Sequence, residues 1–116
     1  MDNKLKEPFD LFGIECGSGW ERLYKPVIEK INQYNLEHPD SPIKIEQIKE
    51  KWGHLRIYVS NEPDEIYDMI LKAEQESQFT CEECGFQHKT KVTTRATRGG
   101  WIRTLCNKCR EKYETA

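Results

Sequence analysis

The chain has 116 residues, with 18 lysines and arginines against 20 aspartates and glutamates, and a formal charge of -2 at pH 7. This length suits one ordinary domain, or a small domain with an appended module, and excludes a multidomain enzyme with a separate cofactor domain. Hydrophobic residues make up 36% and charged residues 33%, and the three tryptophans argue against disorder, so we expect a fold around a small core.

The sequence predicts a cytoplasmic protein. Its apolar runs all fall short of the roughly 20 residues that a membrane span needs, and residues 1–12 carry alternating charges instead of an apolar signal segment. In a reducing compartment, five cysteines favour metal binding or free thiols over a disulfide framework.

Charge and cysteine content change together near residue 80. Residues 1–79 carry a net charge of -6, whereas residues 80–116 carry +4 and contain four of the five cysteines. We therefore predict an acidic unit over residues 1–79 and a basic module over residues 80–116. The absence of a Gly/Ser linker predicts that the two pack directly against each other.

The first predicted element is a helix over residues 19–35. Its apolar positions recur at three- and four-residue steps and form one stripe: Trp20, Leu23, Tyr24, Val27, Ile28, Ile31 and Tyr34. Ser18 and Glu21 predict a capping box at its start. Pro26 predicts either a kink or a regular helix that begins near Lys25, because an interior proline removes a backbone donor.

A hairpin is predicted next. Alternation of apolar and polar residues predicts two strands joined by a Trp52-Gly53 turn, with a buried face made of Ile43, Ile45, Leu55, Ile57 and Val59. Ile48 is out of phase, which indicates a bulge or an early end to the first strand.

A second helix is predicted to open at Asn61 and Pro63. Its buried face is predicted to hold Ile66, Met69, Ile70, Ala73 and Ser77. Together these elements predict an α+β fold, in which a small αββα unit, with two helices on one face of a short antiparallel sheet, precedes a C-terminal module.

The C-terminal module carries two CxxC pairs separated by 21 residues: Cys81, Cys84, Cys106 and Cys109. Two such turns complete the tetrahedral sulfur shell of a structural Zn²⁺, so we predict one zinc per chain in a zinc ribbon. Strands are predicted over residues 91–96 and 101–105, around a turn at residues 98–100. Free buried thiols or a redox CxxC are the alternatives, and His88 is a further candidate ligand in principle.

Basic side chains decorate this ribbon, and they are Lys89, Lys91, Arg95, Arg98, Arg103, Lys108, Arg110 and Lys112. With Trp101 available for stacking, the sequence predicts a candidate nucleic-acid or partner-binding surface made of Arg95, Arg98, Trp101 and Arg103. A solvated basic face that docks onto the acidic unit is the alternative interpretation.

The fifth cysteine lies in a glycine-rich turn before the first helix. Cys16, Gly17, Ser18 and Gly19 form a candidate anion- or ligand-binding turn, and a helix start can also activate a thiol. The plainer interpretation is a packed cysteine beside a capping serine. Because catalytic motifs are otherwise lacking, and His38, His54 and His88 cannot be assigned as a base for Cys16, we predict that the chain is not an enzyme and has no catalytic residues.

Several short motifs, taken in order, carry a resemblance that spans most of the chain. They are Cys16-Gly-Ser-Gly-Trp20, Ile48-Lys-Glu-Lys-Trp-Gly-His-Leu-Arg-Ile-Tyr58, Cys81-Glu-Glu-Cys-Gly85 and Gly100-Trp-Ile-Arg-Thr-Leu-Cys106. In this order the chain resembles a group of small, functionally uncharacterised phage and prophage proteins. The resemblance implies action inside an infected bacterial cell, where small phage proteins commonly bind host factors.

Three functions follow as hypotheses. The first is a non-enzymatic, zinc-stabilised phage or prophage protein that binds a host protein, such as a defence or transcription factor. The second is nucleic-acid binding through the ribbon, and the third is a nucleotide sponge that uses the turn at Cys16–Gly19. Exposed faces on the three tryptophans would mark an interface.

Overall fold

The computed structural model describes residues 13–115. Its elements, in chain order, are β1 (Ile14–Glu15), a 3₁₀ turn (Ser18–Trp20), α1 (Glu21–Glu37), β2 (Lys44–Lys51), β3 (His54–Ser60), α2 (Asp64–Glu76), a second 3₁₀ turn (Ser77–Phe79), β4 (Val92–Ala96), β5 (Ile102–Cys106) and α3 (Asn107–Thr115). Over these residues the architecture is α+β with two small sheets, which confirms the predicted fold class.

The first helix differs from its prediction at the start. Ser18 lies inside the 3₁₀ turn that precedes α1, and no side chain caps either element. The predicted capping box is therefore wrong, because Ser18 lies two residues before Trp20, which occupies the N-cap position from which a side chain could accept the helix amides. Pro26 lies inside a helix that begins at Glu21, so the predicted start near Lys25 is wrong as well.

The predicted apolar stripe of α1 is confirmed. Its buried residues are Leu23, Tyr24, Val27, Ile28 and Ile31, and Trp20 of the preceding turn is completely buried. On α2 the buried residues are Ile66, Ile70 and Ala73. Both stripes pack into one hydrophobic cluster with the inner face of the sheet, as two helices on one face of a sheet require.

The hairpin of β2 and β3 contains the predicted bulge. Ile45 pairs with Val59, but Gln47 pairs with Tyr58, which leaves one extra residue in β2. The extra residue restores the phase of Ile48, which is completely buried. Strand β2 therefore continues to Lys51 instead of ending early.

A two-residue turn closes this hairpin at Trp52 and Gly53. Both residues have positive φ angles, 55° and 85°, which is the pattern of the type I′ turn that matches the twist of antiparallel strands. Glycine adopts this conformation freely, whereas a bulky aromatic residue rarely does. The backbone of Trp52 is therefore in an unfavoured conformation.

The sheet has a third strand that the sequence analysis did not predict. Strand β1 pairs in parallel with β2, with Ile14 opposite Ile48 and Glu15 opposite Lys49. The sheet order is β1-β2-β3, and β4 pairs with β5 in a separate antiparallel sheet. This second sheet holds its own small cluster of buried residues: Cys81, Val92, Leu105, Cys106 and Cys109.

Candidate metal centre

The four cysteines of the two CxxC pairs meet at one point. Cys81 and Cys84 lie in the turn after the second 3₁₀ turn, Cys106 ends β5 and Cys109 lies in the first turn of α3. Their sulfur atoms all lie within 4.8 Å of one another, and the Sγ atoms of Cys84 and Cys106 are 3.8 Å apart. Metal–sulfur bonds of ~2.3 Å in a tetrahedron give sulfur pairs ~3.8 Å apart. The cluster can therefore hold one metal ion.

Backbone hydrogen bonds hold both turns in shape. The Cys109 N–H lies 3.5 Å from the Cys106 sulfur and donates to it. The Gly85 N–H donates to the Cys81 carbonyl over 2.9 Å, and Gly85 has a φ of 85°, which glycine adopts without strain. These hydrogen bonds hold the sulfur atoms of each CxxC turn on the side where the four cysteines meet.

The pKa values of the thiols differ within the cluster. Burial raises the pKa of Cys84 and of Cys109 above the ordinary value. Burial also acts to raise the pKa of Cys106, but hydrogen bonds from the Cys109 N–H and from neighbouring thiols outweigh it and lower that pKa to about 7. A thiol must lose its proton to bind metal, so the hydrogen bonds that stabilise the Cys106 thiolate favour its role as a ligand.

One side of the cluster faces solvent. Cys81 is completely buried, whereas Cys84 is exposed. A cavity of about 350 Å³ opens beside Cys84 and Cys106, and its other lining residues are Phe86, Lys91, Asn107 and Lys108. Lys91 and Lys108 border this cavity, and their charges would offset part of the negative charge that four thiolates would retain around a divalent ion.

His88 has a different role from metal binding. Its Nδ1 accepts hydrogen bonds from the backbone N–H groups of Thr90, at 3.2 Å, and Lys91, at 3.1 Å. The side chain therefore caps the turn that leads into β4. Among the described residues, the grouped metal-ligand candidates are the four cysteines alone.

Glu82, the first residue between the paired cysteines, joins the metal centre to the turn before α1. Its buried carboxylate accepts the Gly17 N–H at 2.8 Å, and its carbonyl accepts the Gly19 N–H at 2.7 Å. Nearby, the indole N–H of Trp20 donates to the Thr80 carbonyl at 2.8 Å. The CxxC turn is thus hydrogen-bonded to a segment about 60 residues away in sequence.

The two glycines of this turn are required by that close approach. A Cβ atom at Gly19 would lie 2.3 Å from the Cys81 carbonyl oxygen, and one at Gly17 would lie 2.5 Å from that of Glu82. The amides that made Cys16–Gly19 a candidate anion-binding turn donate instead to Glu82. A carboxylate of the chain itself takes the place that a bound anion would need.

Cys16 lies beside this junction in a half-buried position. Burial, followed by the nearby carboxylates of Glu82 and Glu50, raises the pKa of Cys16 to about 12. The thiolate, which is the nucleophilic form, is therefore disfavoured at neutral pH. Such surroundings oppose an activated thiol.

We expect Cys16 to react with iodoacetamide at pH 7.5 at least tenfold more slowly in the folded protein than in urea, because the raised pKa depletes the thiolate. The rate should rise steadily from pH 8 to pH 11. Mass spectrometry of tryptic peptides measures the labelling, and the Cys16→Ser variant provides the blank. Equally fast labelling of Cys16 in folded and unfolded protein would contradict the raised pKa.

Two of the ribbon arginines are occupied inside the fold. Arg110 is only 2% exposed and donates to the carbonyls of Thr93, Arg95 and Arg103. The Arg103 guanidinium stacks 5.7 Å from the ring centre of Trp101 and 4.3 Å from that of Tyr113. Of the predicted binding residues, Arg95 and Arg98 have exposed side chains, whereas Arg103 is half-buried.

The three tryptophans divide into one core residue and two surface residues. Trp20 is completely buried, whereas Trp52 is 70% and Trp101 60% exposed. The two exposed rings line a cleft of about 300 Å³ together with Glu50, Lys51, Gly100 and Ile102. We call this surface the tryptophan cleft.

A hydrogen bond fixes the two sides of the tryptophan cleft. The Thr104 hydroxyl, which is buried, donates to the Gly53 carbonyl at 2.5 Å, and the Thr94 and Thr104 hydroxyls lie 2.6 Å apart. The turn of the β2–β3 hairpin therefore packs on the β4–β5 sheet. The cleft is formed where these two hairpins meet.

Comparisons with protein-family models, with curated proteins and with solved structures give no match to this chain. Within residues 13–115, no helix is both long and apolar enough to cross a membrane.

Proposed function

We propose that this chain is a non-enzymatic, zinc-stabilised protein that binds a macromolecule of a bacterial host. Its most favoured partner is a host protein, such as a defence or transcription factor, met in the host cytoplasm. The resemblance of its ordered motifs to small phage and prophage proteins supports the host context. The observation that carries the binding role is the tryptophan cleft.

Exposed tryptophan side chains on a rigid surface are typical of protein–protein interfaces. Trp52 and Trp101 expose most of their rings, and tryptophan and arginine dominate the binding energy of protein interfaces. The cleft between them is near the lower size limit of ligand pockets. It fits one anchoring side chain of a partner better than a complete cofactor.

Zinc is the metal that we assign to the four cysteines. A closed shell of four thiolates suits Zn²⁺ and leaves no position for a catalytic water, so the ion would contribute to folding and not to hydrolysis. Elemental analysis of purified protein should give one zinc per chain. Iron in place of zinc, or a zinc content near zero, would contradict the assignment.

Two observations support protein binding over the other hypotheses. Arg103 and Arg110 make contacts inside the fold, which reduces the cations that the ribbon offers to phosphates. Gly17 and Gly19 donate their amides to Glu82, which reduces the case for a nucleotide sponge.

We expect the paired substitutions Trp52→Ala and Trp101→Ala to lower the affinity for the host partner at least a hundredfold, because large interface tryptophans each contribute about 2 kcal/mol or more. Tagged wild-type protein incubated with host lysate identifies the partner by mass spectrometry. Calorimetry with the purified partner then measures the loss of affinity.

The matched control changes exposed apolar residues elsewhere. Tyr67→Ala and Leu71→Ala lie on α2, where both side chains are exposed, and should leave the affinity unchanged. Equal loss in both double variants would show general damage instead of a local interface. The absence of any partner, with the tag at either end of the chain, would count against the binding role.

A further inference from the structure

The segment over residues 48–58 carries charged and aromatic side chains that lie outside the core, and one of them, Arg56, also donates to the Leu55 carbonyl over 3.3 Å. Ile48, Leu55 and Ile57 fill the core, and Gly53 makes the turn. Since side chains alternate between the two faces of a strand, Lys49, Lys51, Arg56 and Tyr58 lie on the opposite face of the sheet, whereas Glu50 is paired with Leu55. On that face Lys51 and Tyr58 are exposed, and Lys49 and Arg56 are half-buried.

Strand register gathers these residues. Lys49 lies directly opposite Arg56, Lys51 opposite His54 and Gln47 opposite Tyr58. We call the surface made by Lys49, Lys51, Arg56 and Tyr58 the outer sheet face. Its cations come from both strands of one hairpin, with an exposed aromatic ring in the next pair along.

The direct pairing of Lys49 with Arg56 is unfavourable for folding, because like charges directly opposite each other on a sheet repel. Burial first, and the charge of Arg56 second, also lower the pKa of His54. Glu15 of β1 lies opposite Lys49 and accepts a hydrogen bond from the Gln47 side chain at 3.0 Å. Its negative charge offsets part of the repulsion between Lys49 and Arg56. Arrangements that oppose stability in this way are typical of functional surfaces.

The negative charge of residues 1–79 is concentrated elsewhere. Helix α2, which packs on the inner face of the sheet, carries five carboxylates against one lysine: Asp64, Glu65, Asp68, Glu74 and Glu76, with Lys72. Glu46, the extra residue of the bulge, is exposed beyond the cationic pairs. The chain is therefore polarised, and its overall charge of -2 conceals a cationic sheet surface.

We propose that the outer sheet face binds single-stranded nucleic acid, with Lys49, Lys51 and Arg56 contacting phosphates and Tyr58 stacking on a base. A basic surface with an exposed aromatic ring is the combination that holds single strands. The ring favours a single strand over a duplex, whose bases are already stacked on one another. Lys51 also lines the tryptophan cleft, so the two surfaces adjoin there, whereas Lys49, Arg56 and Tyr58 lie outside the cleft.

The test uses the zinc-loaded full chain and a fluorescein-labelled single-stranded dT₁₂ oligonucleotide, with binding followed by fluorescence anisotropy. Three phosphate contacts predict that affinity falls roughly twentyfold between 50 and 200 mM salt. Lys49→Gln and Arg56→Gln should each weaken binding and make the slope of log K against log salt shallower by about 0.7. Tyr58→Ala should weaken binding about tenfold, and Tyr58→Phe should retain it.

Lys72→Gln is the matched control, because it removes the same charge from an exposed position on α2 and should change nothing. Zinc content and circular dichroism establish that each variant is folded. Retained oligonucleotide binding in the Trp52→Ala, Trp101→Ala double variant supports a separate site. The proposal is overturned by absent or salt-independent binding, by an equal loss in Lys72→Gln, by equal affinity for a duplex, or by loss only in the tryptophan variants.

Discussion

Removal of the metal is expected to disrupt the core of the acidic unit, residues 1–79, as well as the zinc ribbon. Structural zinc contributes about 10–16 kcal/mol in small zinc-binding peptides, as much as the whole stability of a typical domain. Here Glu82 of the CxxC turn accepts hydrogen bonds from the Gly17 and Gly19 N–H groups, and Thr80, directly before the turn, accepts one from the Trp20 indole. Once its cysteines are released, those three residues lose their partners.

Trp20 provides a direct reading of this effect. Its ring is completely buried, and its N–H donates to the Thr80 carbonyl beside the first ligand. In a Trp52→Phe, Trp101→Phe background, Trp20 is the sole tryptophan. A strong chelator should shift its emission to longer wavelength, and readdition of zinc should reverse the shift.

The Cys106→Ser substitution should give the same result without chelator, whereas His88→Ala should keep both the zinc and the buried emission of Trp20. Unchanged emission from Trp20 after complete loss of zinc would contradict the coupling. The acidic unit would then fold independently of the metal, and the Glu82 hydrogen bonds would contribute little to its stability.

Gly19→Ala is expected to be the most damaging single substitution outside the cysteines. The added Cβ would lie 2.3 Å from the Cys81 carbonyl oxygen and 2.5 Å from that of Glu82, distances far inside van der Waals contact. The hydrogen bond from the Gly19 N–H to the Glu82 carbonyl would be lost as the two segments of the chain move apart. We expect a loss of about 3 kcal/mol or more in the free energy of unfolding.

Gly99→Ala separates steric clash from backbone strain. Gly99 has a φ of 94° but nothing within 4 Å of an added Cβ, so it tests strain alone and should cost about 1–2 kcal/mol. Gly19 is tested for space alone, because its φ is not in the left-handed region. Urea denaturation of the zinc-loaded proteins compares the two. A Gly19→Ala variant as stable as Gly99→Ala would contradict the expected clash, because the loss would then be no larger than that of backbone strain alone.

Patterns that repeat locally could be predicted well. Ile43 and Ile45 alternate with polar residues, and so do Leu55 and Ile57. This alternation identifies the two strands of the hairpin, because a buried face imposes a period of two. The two CxxC pairs likewise predicted the sulfur cluster, since each pair sets its own geometry within four residues. Even the bulge was predicted as one alternative, because Ile48 had to regain the buried phase.

Features that depend on distant segments could not be predicted. Glu82 is a charged residue between two cysteine ligands, and such a residue is expected to be exposed. Its partners Gly17 and Gly19 become its neighbours only in the folded chain. Sequence alone does not distinguish Arg110 from an exposed arginine, yet its side chain is buried and donates to backbone carbonyls. Strand β1 is two residues long, too short for any periodic signal.

Trp52 has a further consequence for how this sequence can change over generations. At its position in a type I′ turn, asparagine satisfies the positive φ with far less strain than tryptophan does. Selection for stability alone would therefore replace the indole. On the proposed function, a lineage that no longer meets the proposed partner is expected to drift from Trp-Gly to Asn-Gly at this turn, and retention of the tryptophan among relatives would support continued use of the surface.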